Sequence, residues 1–187
     1  MIRLFVAIDL PESLKTELLN LRMGIPQAQW TPLEKLHLTL RFIGEVIEPE
    51  FLEIAKGLGK VQLPAFPLTL TGVGAFHSRK LPRVLWVGVQ KSEELKQLHG
   101  RIESCLREFG VPPEERKFSP HITLARFSSE RGGGGENAFY RIGDFLKEFN
   151  LYRSEPFMVS AFHLYSGLLT SKQAHYRQEY TYPLCER

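Results

Sequence analysis

The chain has 187 residues, 43% of them hydrophobic and 24% charged, with a net charge of +3. These are the proportions of an ordinary soluble globular protein that can bury a sizeable core, and the small positive excess permits a polyanionic partner without demanding one. No apolar run approaches the roughly 18 residues of a membrane span, which excludes a membrane-crossing helix. The opening "MIRLFVAIDLPE" has a short apolar run cut off by Asp9 and Pro11, so no signal peptide is expected and the cytoplasm is the expected compartment.

In chain order, "RLFVAIDL" is short and apolar and predicts a buried strand. "PESLKTELLNLRMG" predicts a helix opened by Pro11 and closed by Gly24, with Leu14, Leu18 and Leu21 on one face. "KLHLTLRFIG" alternates up to Gly44 and predicts a strand, and "PEFLEIAKGLG" a short helix with Phe51, Ile54, Ala55 and Leu58 inward. "FPLTLTGVGAF" and "RVLWVGVQ" read as two strands around a polar loop, "HSRKLP". Ser92 caps the amphipathic "EELKQLHGRIESCLREFG", which ends at Gly110 before Pro112 and Pro113. Cys105 lies among the apolar positions of that helix and reads as a reduced core thiol; Cys185 stands at no metal-like spacing from it. "FSPHITLARF" is the next strand, "SSERGGGGEN" a flexible loop, "AFYRIGDFLKEF" a helix, and "PFMVSAFHLYSG" with "AHYRQEYTYPL" a closing strand pair.

The short links favour antiparallel pairing, and no glycine-rich phosphate loop follows a strand, so a doubly wound nucleotide fold is not expected. The order strand, helix, motif strand occurs twice, once in "RLFVAIDL", helix, "HLTL" and once in "RVLWVGVQ", helix, "HITL". A single domain over 1–187 built from two similar halves, and a monomer, are expected.

The repeated motif carries the chemistry. In a strand, side chains two apart share a face, so His37 lies beside Thr39 and His121 beside Thr123, with Leu38, Leu40, Ile122 and Leu124 turned to the core. One such motif reads as an ordinary strand with a satisfied histidine. Two at matching places in the two halves read as a site. Facing each other across a cleft, two imidazoles suit general acid–base chemistry near neutral pH, one taking a proton while the other gives one. Two hydroxyls between them suit a phosphodiester. Neither motif brings a carboxylate or cysteine ligand, so no metal is expected, and no nucleophile–base–orienter triad is legible around either threonine.

At these residues the sequence resembles the 2H phosphoesterases. "LHLTLRFIGEV" and "FSPHITLAR", with "RLFVAIDLP" and "PRVLWVGV", are similar to the branch of bacterial and archaeal RNA 2',3'-cyclic phosphodiesterases, also called 2'-5' RNA ligases. The resemblance implies an α+β, bilobal fold with two pseudo-symmetric antiparallel sheets lining a central cleft and helices outside. It implies cofactor-free, metal-free hydrolysis of RNA 2',3'-cyclic phosphate ends to 2'-phosphomonoesters, with 2'-5' ligation as the reverse. It makes His37 the general acid and His121 the general base, roles that the nearly symmetric motifs leave open. RNA ends are the implied partner; a small cyclic nucleotide, a tRNA-derived splicing intermediate, or binding of RNA without turnover are the rivals.

Arg41 shares a face with His37 by strict alternation and is a candidate phosphate ligand. Arg126 falls opposite His121 unless the strand bulges, yet the resemblance places it near the phosphate. Phe76, Tyr165 and Tyr176 are candidate base platforms. His77, His99, His163 and His175 lack the motif and read as structural or surface residues. Arg79, Lys80 and Arg83 cluster after Phe76, where they could guide an RNA end, and read first as a solvated loop.

Overall fold

Short apolar runs broken by proline and glycine condense into strands that pair antiparallel, and the longer amphipathic segments into helices. The computed structural model describes residues 1–78, 81–127, 135–169 and 174–185. The strands are β1 (Ile2–Asp9), β2 (Gln29–Trp30), β3 (His37–Val46), β4 (Phe66–Leu68), β5 (Leu70–Ser78), β6 (Leu81–Val89), β7 (His121–Arg126), β8 (Phe157–Val159), β9 (Ala161–Leu169) and β10 (Ala174–Pro183). The helices are α1 (Glu12–Leu19), α2 (Glu48–Leu58), α3 (Glu93–Glu108) and α4 (Gly135–Glu148).

The α+β class and the antiparallel pairing hold. One half contributes the run β10-β9-β1-β3 and the other β7-β6-β5 with β2 on β7, and the two meet edge to edge in one eight-stranded sheet. The junction is a single antiparallel pair, Leu38 opposite Ile122. Beneath it, Leu38, Leu40, Ile122 and Leu124 join a core completed by Leu98, Ile102 and Leu106 of α3, among others. Ser92 caps α3 by accepting a 3.1 Å hydrogen bond from the Leu95 amide. Gly110, just past the helix, takes a positive φ of 76°.

Two predicted strands are each split in two. "FPLTLTGVGAF" breaks at Thr69 into β4 and β5, and "PFMVSAFHLYSG" breaks at Ser160 into β8 and β9. β4 and β8 leave the main sheet and pair with each other, Pro67 opposite Met158, as a second, two-stranded sheet. The break is stabilised alike in both halves: the Thr69 carbonyl accepts from the Gln90 amide and the Ser160 carbonyl from the Leu184 amide, each at 2.8 Å. The polar "HSRKLP" connection is shorter than expected, because β5 runs to Ser78 and β6 begins at Leu81, leaving Arg79 and Lys80 outside the described residues. The predicted flexible loop lies mostly outside them too; Gly135, Glu136 and Asn137 at its end open α4. The first helix ends at Leu19 rather than Gly24, although Leu21 beyond it is still buried. Cys105 is a free, half-buried thiol whose pKa burial pushes up; Cys185 is free and exposed.

Candidate active site

Over the six positions that begin at each histidine, the two motif strands are copies of one another, including one irregularity. Along β3, His37 pairs with Asp9 of β1, Leu38 with Ile8, Thr39 with Ala7, then Arg41 with Val6 and Phe42 with Phe5. Along β7, His121 pairs with Gly88 of β6, Ile122 with Val87, Thr123 with Trp86, then Ala125 with Leu85 and Arg126 with Val84. Over these matched positions each strand therefore skips one residue, Leu40 in β3 and Leu124 in β7; β3 skips a second, Ile43, further along. An extra residue in one strand of a ladder is a β-bulge, and it reverses the in–out alternation beyond it. Burial follows the same sequence in both: partly exposed, buried, partly exposed, buried, buried, exposed.

A twofold operation exchanging the halves maps the Leu38–Ile122 pair onto itself, and the axis passes through that pair. Continuing the antiparallel register outward sets His37 beside Thr123 and Thr39 beside His121. The two histidines then lie on a diagonal, ~7–8 Å apart in a regular ladder with their Cβ atoms somewhat closer. That spacing suits a group the size of a phosphate between them.

Both rings are anchored the same way. His37 Nδ1 lies 2.8 Å from the Lys35 carbonyl, and His121 Nδ1 2.7 Å from the Ser119 carbonyl. A carbonyl oxygen only accepts, so each Nδ1–H donates and each Nε2 is left free for proton transfer. Burial lowers the pKa of both histidines. The carbonyl bonds oppose that shift, and the Arg126 charge adds to it at both rings.

Aromatic rings set the two imidazoles in place. Phe5 stands 5.1 Å from His37 and stacks on Tyr165 at 5.1 Å, and Tyr176 meets His37 edge-on at 5.8 Å. Phe76 meets His121 edge-on at 4.8 Å, with Trp86 behind it at 5.4 Å. All three candidate platforms thus border a motif histidine. Trp86 reaches its place because Gly74 has no side chain; a Cβ there would come within 2.1 Å of the indole.

The bulges decide the arginines. Arg126 is turned out on the side of His121 and Thr123, and its charge is felt by both histidines. Arg41 does not share a face with His37 as alternation predicts. The bulge at Leu40 turns it inward, where it is 8% exposed, pairs with Glu103 of α3 and Glu114, and donates to the Pro112 carbonyl. Its counterpart in the other half is Ala125; the counterpart of Arg126 is Phe42.

The symmetry also breaks beside the histidines. His37 stands opposite Asp9, a carboxylate bonded to Lys15 at 2.9 Å, whereas His121 stands opposite Gly88. The Asp9 charge raises the His37 pKa against burial, and among the described residues no carboxylate does so for His121. Asp9 and Trp86 escape sequence reasoning because cross-strand register alone brings them to the motifs, and Phe42 because the bulge at Leu40 sets its face. Of the other histidines, His163 shares the cross-strand row of Ala7 and Thr39 and sits 3.1 Å from the Thr181 hydroxyl, and His99 stacks on Phe118 at 3.9 Å. Among the described residues no three His, Cys, Asp or Glu side chains are grouped to hold a metal ion, and no helix is long and apolar enough to cross a membrane.

Comparison with known proteins follows the same lines. The family model of the 2'-5' RNA ligase superfamily matches residues 10–168. An RNA 2',3'-cyclic phosphodiesterase of Escherichia coli is 35% identical over 159 residues, covering 81% of this chain and 86% of that protein. A protein of the same name from Archaeoglobus fulgidus is 29% identical over 94% of this chain and 96% of its own length. The crystal structure of E. coli LigT complexed with 3'-AMP superposes with a TM-score of 0.78 at 28% identity, covering 99% of both chains. Two anchored histidines on twofold-related bulged strands, in a chain matched over most of its length, lead to one conclusion: this protein belongs to the 2'-5' RNA ligase superfamily.

Proposed function

We propose that the protein is an RNA 2',3'-cyclic phosphodiesterase that opens the cyclic phosphate at an RNA end to a 2'-phosphomonoester, using two histidines and no metal. The observation that carries this reading is the pair of imidazoles, each fixed through Nδ1 with Nε2 free, beside two threonine hydroxyls. His121 Nε2 takes the proton of the attacking water as the O–P bond forms. His37 Nε2 gives its proton to O3' as the P–O3' bond breaks. Thr39 and Thr123 donate to the non-bridging oxygens, and Arg126 balances the charge that builds on them. Arg41 takes no part, because its guanidinium is committed to Glu103 and Glu114.

The acid–base assignment follows the resemblance to the family. An acid must hold its proton before reaction; burial and Lys15 lower the His37 pKa and Asp9 opposes them, favouring the charged form, while Gly88 gives His121 no such help. With a 5'-hydroxyl in place of water the same steps form a 2'-5' linkage, so ligation is this chemistry with another nucleophile. Each half supplies one histidine, so the halves act together as one domain.

The test is a short RNA ending in a 2',3'-cyclic phosphate, incubated with the protein in excess EDTA. Release of a 2'-phosphate, lost in His37→Ala and His121→Ala variants that remain folded, is the expected result. A 3'-phosphate product, or turnover restored only by added metal, would refute the mechanism. Tight binding of the RNA end without turnover would leave a binding module.

A further inference from the structure

The twofold frame is broken most visibly at its flanks. On one side β2 zips onto β7, with Gln29 opposite Arg126, Trp30 opposite Ala125, and the Thr31 amide donating to the Leu124 carbonyl at 2.8 Å. The 84-residue offset between the motif histidines puts Pro113 and Glu114 in the matching places beside β3. No ladder forms there. Pro112 and Pro113 have no amide hydrogen to donate, and the Pro112 carbonyl is taken by Arg41 instead. On this flank Glu114, with Arg41 and Phe42 of β3, borders an open pocket of about 450 Å³. Thr39, Phe42, Phe76, Arg116, Lys117 and His121 line it.

We infer that this pocket is the acceptor subsite for ligation. It holds the 5'-terminal nucleoside of a second RNA whose free 5'-hydroxyl replaces water as the nucleophile. The inference rests on the proposed function and deepens it. In displacement at phosphorus the entering and leaving oxygens lie in line, on opposite sides. The leaving O3' belongs to the donor nucleoside and must face His37, so that nucleoside lies toward Tyr165 and Tyr176. The entering oxygen comes from the His121 side, where the pocket opens.

Its lining fits that occupant. Phe42 and Phe76 are 54% and 37% exposed, flat apolar faces on which a base of any identity can stack. Lys117 and Arg116 supply positive charge for the phosphate that follows the acceptor nucleoside. Glu114 also lines the pocket, but its carboxylate is engaged by Arg41. The step is balanced. O5' bonds to phosphorus as its proton passes to His121 Nε2, and the P–O3' bond breaks as O3' takes the proton of His37. The product is a 2'-5' diester.

The experiment mixes an RNA ending in a 2',3'-cyclic phosphate with a 5'-hydroxyl oligoribonucleotide and measures joined and hydrolysed product together. With the wild-type protein the joined fraction rises with acceptor concentration and saturates; an acceptor blocked by a 5'-phosphate gives none. In Arg116→Glu/Lys117→Glu, a change of two exposed side chains, the acceptor concentration for half-maximal joining rises by about fivefold or more relative to hydrolysis in the same reaction. Phe42→Ser has the same effect. Hydrolysis with an unchanged joined fraction in both variants, or with no joining by the wild type at any acceptor concentration, overturns the subsite. Absence of hydrolysis by the wild type overturns the proposed function itself.

Discussion

Replacing Arg41 by alanine separates a phosphate ligand from a structural ion pair. Its guanidinium meets Glu103, whose side chain is only 12% exposed, together with Glu114 at 3.5 Å and the Pro112 carbonyl. Removal leaves the Glu103 carboxylate with only His99, 3.9 Å away, whose charged form burial disfavours, at a cost of about 3–5 kcal/mol. The Glu114 pair is 40% exposed on the carboxylate side and adds little, since surface pairs contribute ~0–1 kcal/mol. For a domain of this size each kcal/mol moves Tm by roughly 2–4 °C, so a fall of roughly 6–20 °C is expected in thermal unfolding followed by circular dichroism. Turnover of the protein that remains folded at 20 °C should stay within a few-fold of wild type, because the bulge at Leu40 holds this side chain away from the face that carries His37. A double change, Arg41→Met with Glu103→Leu, removes both charges and should recover much of the loss. A variant with unchanged Tm and a hundredfold lower kcat/KM would refute this reasoning and return Arg41 to the phosphate.

Asp9→Asn tests the assignment of the acid. Burial already lowers the His37 pKa and Asp9 opposes it, while Lys15 and Arg126 lower it further. Without the Asp9 charge the His37 pKa falls again, more so because Lys15 loses a counter-ion. The proton needed for O3' is then lost at lower pH, and the basic limb of the pH–kcat profile should move to lower pH while the acidic limb, set by His121, stays. Movement of the acidic limb instead would exchange the two roles. Gly74→Ala should displace the Trp86 indole toward Phe76 and His121, destabilising the protein by about 1–3 kcal/mol in urea unfolding and lowering turnover; an unchanged midpoint would show that the indole can move without cost.

The legible part of the site was what two-residue periodicity controls over three positions. His37 with Thr39, and His121 with Thr123, share a face because nothing irregular intervenes. One residue later the rule fails in both strands. A bulge depends on pairing with β1 or β6, and no pattern within "HLTLRF" or "HITLAR" announces it. Arg41 was therefore expected on the wrong face, and Arg126 reached the right one only through the exception. The splits at Thr69 and Ser160 escaped for a related reason: each run is apolar and β-prone throughout, and only the pairing of β4 with β8 shows where one sheet is exchanged for the other.

A twofold frame solves one problem and creates another. Duplication delivers two imidazoles and two hydroxyls to one point with the same anchoring of Nδ1, but identical environments give identical proton affinities. Acid–base catalysis needs one ring charged and the other neutral at the same pH. Of the departures from symmetry, the one at Asp9 bears on that difference. Asp9 stands opposite His37 where Gly88 stands opposite His121, and Arg126 flanks one motif where Phe42 flanks the other. Gln29 and Trp30 close one flank with a strand, and on the matching flank Glu114 borders an open pocket. These substitutions lie on the cleft face or its rim, whereas the bulges and the Leu38–Ile122 junction are kept alike in both halves. On the proposed function, the shared frame sets where the phosphate sits, and the unshared residues set the direction in which its protons move.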